Sequence, residues 1–286
     1  MDTIKIESST IRRLNCQIIS QDTECETLIS NMRTVEKFMS DFGFLSFGRD
    51  FVLCRSHSFS LQMVSTSCEL TVGSIVSCCE SGCMADAYSL LRKYRDDLFF
   101  YLYIVVYDAC NRLGLNSQKI VQMEENIERW ISNDLSDLHI GTVLQAIGQS
   151  PRVKGAVQKY NLKSYFDALG ERLNNYVHSN GVAFYNRNVN AYQGKTLPKQ
   201  LEALLKDMRS ITVTFLFLLT LCSPLSIMSP DYVDCLDCNV IPPDGSQYWV
   251  APFVADFFRD NVDLIDKSCI DYLRENTQMQ FDYFDL

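Results

Sequence analysis

Arg172, Asn174, Asn175 and His178 stand within two turns of one expected helix, in the run ERLNNYVHSNG from Glu171 to Gly181. An arginine neutralises phosphate charge, a histidine exchanges protons near neutral pH and an amide orients either, so the set can bind and cleave a phosphodiester. At about 100° per residue, Glu171, Asn174, Asn175 and His178 share roughly a quarter of the helix circumference, with Arg172 at its border. Leu169, Leu173, Tyr176 and Val177 take the other side. Ser179, Asn180 and Gly181 supply a helix stop, because Asn and Gly tolerate the left-handed backbone that closes a last turn. The same residue types also suit a solvated helix end, where a histidine complements the helix dipole.

This helix is expected to open at Asn161 or Ser164, and other elements must hold it. The strongest helical signal runs from Glu80 to Arg112 and stops at Gly114. It is apolar on most sides, with a polar band of Arg92, Arg95 and Asp96. Arg92 and Asp96 are spaced for an i, i+4 pair, whereas Arg95 has no acidic residue three or four positions away in sequence and is expected to reach elsewhere. Leu197 to Met228 reads as a second long helix. Its half from Ile211 approaches the roughly 18–20 residues that span a bilayer. Thr212, Thr214, Thr220 and Ser223 dilute that run and Pro224 interrupts it. Acidic residues follow with no basic residue on that side, so no membrane is expected, and a helix at the centre of a bundle looks the same.

The first fifteen residues form an arm or a short strand, and Cys25 to Met39 a helix capped at Asp22 or Thr23. Residues 42–60 form a loop or short hairpin that contains His57. Asn116 to Ile131 is a helix with Glu124, Glu125 and Glu128 outward. Leu138 to Tyr160 breaks at Gly148 and Pro151. The run VAFYNRNVNAYQGK after Gly181 is loop-like. Its Asn, Tyr and Arg187 suit contacts with bases or ribose, and its tyrosines suit packing equally. Pro230 to Gly245 is a linker or ordered loop. A last amphipathic helix from Tyr248 to Arg274, broken at Pro252, precedes the tail QFDYFDL.

A chain of 286 residues, 47% of them hydrophobic, can bury a sizeable core. The net charge of −9 argues against a protein that coats nucleic acid through a generally basic surface. The charge is unevenly spread. Arg152 to Lys199 holds eight Lys or Arg against Asp167 and Glu171, while Asp231 to the C-terminus holds twelve acidic residues against Arg259, Lys267 and Arg274. A basic centre suits phosphate, and the acidic C-terminal region suits either shielding it or meeting a protein partner, although both are also ordinary solvated faces. Twelve irregularly spaced cysteines in a large chain fit free thiols in a reducing cytoplasm. Cys235 and Cys238 form a lone CxxC without a second pair or a nearby histidine, so no metal site is expected.

Arg172, five intervening residues and His178 near a helix end, in an aromatic-rich helical chain, resemble the HEPN superfamily. The resemblance covers roughly Met84 to Met228. It implies an all-α helical bundle at residues 83–229, with an extension at 1–82 and an acidic helical extension at 230–286. It further implies metal-independent endoribonuclease activity without a cofactor, a homodimer that builds its cleft from both copies, and a setting such as antiviral defence or toxin–antitoxin regulation. Arg172, His178 and Asn174 take the catalytic places, and Asn175, Glu171, Arg92, Arg95, Asp96 and Arg187 the supporting or substrate-binding ones. The family commonly has a polar residue directly after the arginine. Leu173 occupies that place here, and the polar role passes to Asn174. A catalytically inactive module of the same fold, binding nucleic acid or protein, is the alternative, and a membrane-attached helical protein a third.

Overall fold

The computed structural model describes residues 7–46, 51–54, 57–114, 117–134, 138–178, 180–189 and 196–281. Ser179, the first six residues and the last five of the tail QFDYFDL lie outside them. Among the described residues the chain forms thirteen α-helices and one two-stranded hairpin, so the all-α expectation holds apart from that hairpin.

The chain divides into two compact units, neither of which is a consecutive stretch of sequence. The first comprises Met1–Lys37, Ser67–Arg95 and Ser164–Arg209, and the second Phe38–Thr66, Asp96–Lys163 and Ser210–Leu286. Helix α1 spans Ser8–Ile19 and α2 Thr23–Leu45. The former corrects the expected N-terminal arm. Asp22 caps α2, its Oδ1 accepting the backbone N–H of Glu24 at 3.0 Å and of Cys25 at 3.1 Å. Ile29, Met32, Val35, Phe38 and Met39 line the buried face of α2 at the expected helical spacing.

Strands β1, Phe51–Cys54, and β2, His57–Ser60, pair antiparallel with Val52 opposite Phe59. Helix α3, Gln62–Glu80, replaces what the sequence left unassigned, and α4 begins only at Met84 and runs to Arg112. The expected single helix from Glu80 is thus broken at Ser81–Cys83. Gly82 turns there with φ 70°, and a Cβ on it would meet the Asn15 side chain at 2.6 Å. Only glycine satisfies both the left-handed backbone and that close approach.

Helix α5, Gln118–Ile131, α6, Ile140–Gln149, and α7, Lys154–Lys159, belong to the second unit. Glu125 faces outward as expected. Glu124 instead accepts the Tyr107 hydroxyl at 2.9 Å, and Glu128 is half-buried, because α5 lays that edge against its surroundings rather than into solvent. Helix α8 is Leu162–Val177 and α9 Val182–Val189, the latter correcting the expected loop after Gly181.

Helix α10, Leu197–Cys222, stops six residues earlier than expected, and Pro224–Ile227 form a 3-10 turn. Proline lacks the N–H that would continue the helix. Every residue from Ser210 to Cys222 is buried, so the apolar half of α10 is core. No helix of the described residues is long and apolar enough to cross a membrane.

The expected linker contains α11, Asp231–Asp237, and the expected last helix is two: α12, Pro252–Asn261, and α13, Cys269–Thr277. Both join the core of the second unit. Phe38 lies 4.2 Å from Phe257, Phe42 meets Phe215 edge-on at 5.8 Å, and Tyr160 meets Phe217 at 5.3 Å and Tyr272 at 5.7 Å. Such tilted and edge-on rings gain contact energy beyond their buried area.

Candidate functional site

Helix α8 is amphipathic in the way its sequence dictates. Leu162, Phe166, Leu169, Leu173 and Tyr176 are buried, while Glu171, Arg172 and His178 are exposed. Val177, expected on the apolar side, is exposed instead, because the helix ends there and no longer has a packed face to cover. His178 continues the last turn, its backbone N–H donating to Asn174 O at 2.9 Å. Asn180 folds back on Asn175, donating through its backbone at 3.1 Å and its side chain at 3.0 Å. That engages the Asn175 amide. Asn174 is half-buried, and its Oδ1 has no hydrogen-bond partner among the described residues.

Arg172 is not a free phosphate ligand. Its Nε donates to Asp207 Oδ2 at 3.1 Å and its Nη2 to Oδ1 at 2.6 Å. Asp207 stands on α10 and is largely buried, whereas the Arg172 side chain is 46% exposed. Burial raises the Asp207 carboxyl above its ordinary range, against the opposing pull of Arg172 and Lys206. The side-on pair takes two of the five guanidinium N–H donors and leaves the exposed edge.

Aromatic side chains pack beside this pair. Tyr88 on α4 stacks on Tyr176 with ring centres 4.2 Å apart and planes 9° from parallel. Phe184 on α9 meets Tyr176 edge-on at 4.9 Å, and the Arg187 guanidinium lies 5.1 Å from the Tyr176 ring centre. Tyr88 is buried and its phenol is pushed up to about 12, first by burial and then by the Asp207 charge, with Arg187 and Arg172 pulling the other way. Asn188 ties α9 to the start of α4, its Oδ1 accepting the Ala85 N–H at 2.8 Å.

The supporting residues read from sequence divide accordingly. Arg187 joins the cluster, but by covering an aromatic face within a helix. Arg92 is half-buried. Arg95, expected to reach elsewhere than its own helix, is buried at 2% exposure, and a Cβ on Gly170 would lie 3.4 Å from its Nη1. It therefore packs against α8 where a glycine admits it and does not face solvent. Asp96 is half-buried and belongs to the second unit. Glu171 is exposed. Sequence reasoning missed Asp207 and Tyr88, and placed Tyr176 on the apolar side of α8 without a part in the site. Helical spacing signals burial of both tyrosines, while nothing local to α8 points to Asp207.

Among the described residues no group of three His, Cys, Asp or Glu side chains is arranged to hold a metal ion. Cys235 is half-buried and Cys238 exposed, both as thiols. No protein-family model, curated protein or solved structure matches the chain.

Proposed function

We propose that the C-terminal half of α8 binds and cleaves RNA as a metal-independent, HEPN-type endoribonuclease. One observation carries this reading: Arg172 and His178 are both exposed on the last turns of one helix, and the largely buried Asp207 fixes the guanidinium in a set orientation. In such a reaction the 2′-hydroxyl attacks the adjacent phosphorus and the 5′-oxygen leaves. His178 removes the 2′ proton or protonates the leaving oxygen, and the free edge of Arg172 meets the charge that builds on the phosphate. A single chain supplies one histidine at this place. A homodimer that pairs two copies of α8 would supply both a base and an acid, and it forms part of the proposal.

A second reading is favoured by the same ion pair. Asp207 offsets much of the positive charge of Arg172, which suits a catalytically inactive module of the same fold that holds RNA or a protein partner without cleaving. The deciding experiment is cleavage of total cellular RNA in excess chelator by wild type, Arg172→Ala and His178→Ala, with circular dichroism on all three. Loss of cleavage in both folded variants is the expected result. A folded wild type that binds RNA but leaves it intact, alone and as a verified dimer, sinks the nuclease reading in favour of the binding module.

A further inference from the structure

The second unit contains a cavity of about 490 Å³ that the RNA-directed reading does not use. It is bordered by α4, α5, α6 and the turn after α6, and its walls include Ile120, Met123, Ala146 and Pro151. This volume lies in the range of about 300–1,000 Å³ typical of small-molecule sites.

Two buried hydroxyls line it. Ser150 is 5% exposed, and its Oγ has no hydrogen-bond partner among the described residues. Tyr103 is 1% exposed, and its hydroxyl accepts the Asn126 amide at 3.1 Å, which leaves its own O–H to donate. A buried hydroxyl without a partner is costly in a folded protein, and a bound molecule that accepts a hydrogen bond from it removes the cost.

Lys119 is the only charged side chain among the described residues of the lining. Its ammonium donates to Gln149 Oε1, and Gln149 immediately precedes Ser150. A cation at the rim and an unused buried hydroxyl donor thus both line the cavity, the first bonded to the residue that precedes the second, with apolar walls beyond them and no carboxylate among the described residues of the lining.

We infer that this cavity binds a small amphipathic carboxylate, with its head group taken by Lys119 and Ser150 and its apolar body lying among Ile120, Met123 and Ala146. One carboxylate oxygen accepts from the ammonium and the other from the serine hydroxyl. The inference rests on the second unit alone and stands whether or not α8 acts on RNA.

The test uses the full chain and the probe 1-anilinonaphthalene-8-sulfonate, an apolar ring system with an anionic head, displaced by decanoate or by decan-1-ol. Saturable binding of one probe per chain is expected, with decanoate competing roughly tenfold better than the alcohol. Lys119→Gln should remove that preference, Ser150→Ala should weaken decanoate severalfold, and Ala146→Trp should block the probe by filling the space. Absence of saturable binding overturns the inference, as does equal competition by acid and alcohol. Full probe binding by a folded Ala146→Trp places the site elsewhere and also overturns it. If that variant does not fold, Lys119→Gln decides alone, since its residue is at the rim, and unchanged decanoate affinity counts against the site.

Discussion

The guanidinium of Arg172 lies side-on to the carboxylate of Asp207, Nε to Oδ2 at 3.1 Å and Nη2 to Oδ1 at 2.6 Å, joining α8 to α10 across 35 residues of sequence. The pair is half open to solvent on the arginine side, so it contributes no more than about 1 kcal/mol to stability. Its larger consequence is geometric, because one edge of the guanidinium is held and the other presented.

Asp207→Asn therefore separates charge from orientation. Removing the carboxylate charge should tighten binding of single-stranded RNA severalfold at low salt, and steepen the salt dependence by about one phosphate contact. Cleavage should fall by about tenfold, because the guanidinium loses its fixed orientation. Filter binding across a salt series, paired with a gel assay of cleavage, reads both. Unchanged affinity in a folded variant would remove Arg172 from the phosphate-binding surface.

The same carboxyl makes a pH-dependent contribution. Burial holds its folded-state pKa above the ordinary 3.8. The native protein thus binds this proton more tightly than the unfolded chain does. The contribution of Asp207 to stability is fully present below pH 3.8 and is lost as pH rises through the raised value. Asp207→Asn abolishes that slope. The Tm of the variant minus that of wild type should become more positive from about pH 4 to pH 7, measured by calorimetry at fixed ionic strength.

Tyr88 anchors the aromatic stack under the candidate site. It is 2% exposed and lies flat on Tyr176. Tyr88→Ala is expected to cost about 3–5 kcal/mol through lost contacts and the cavity left behind, whereas Tyr88→Phe keeps the stack and should cost about 1 kcal/mol. Urea unfolding distinguishes them. In the ultraviolet titration of the tyrosines, a step near pH 12 should vanish in Tyr88→Phe.

Gly82 joins α3 to α4 at φ 70°, with the Asn15 side chain 2.6 Å from the place of a Cβ. Gly82→Ala should destabilise by about 1–2 kcal/mol from the left-handed backbone, and by more where Asn15 must move. Asn15 holds the turn by donating to Ser81 O at 3.1 Å. The double variant with Asn15→Ala should recover only the steric part. Full recovery would show that backbone conformation matters little there.

Elements with a dense apolar stripe were readable one at a time. In α2 the residues Ile29, Met32, Val35, Phe38 and Met39 recur at helical spacing and are all buried. Helix α3 carries a stripe of the same kind, Cys68, Val72, Ile75, Val76 and Cys79, and its burial is as complete. There the Ser, Thr, Gly and β-branched residues lower intrinsic helix propensity and hid the period, and packing overrode them. Helix α9 is only eight residues long, and its Asn-rich sequence favours turns until Phe184 and Arg187 dock on Tyr176.

The sequence by itself determined that α8 is amphipathic, that Leu169, Leu173 and Tyr176 face inward, and that Arg172 and His178 face out. These follow from a period of about 3.6 residues, which is a local property of the chain. Only the tertiary structure decided that Arg172 is held by Asp207, that Arg95 is buried beside Gly170, and that Tyr88 and Arg187 meet at Tyr176. The pairings of Arg172 with Asp207, Arg95 with Gly170 and Tyr88 with Tyr176 join residues far apart in sequence, and Arg187 reaches Tyr176 from the next helix. The partner is set by how helices pack and by the desolvation of buried charge and aromatic surface, and no local spacing encodes it.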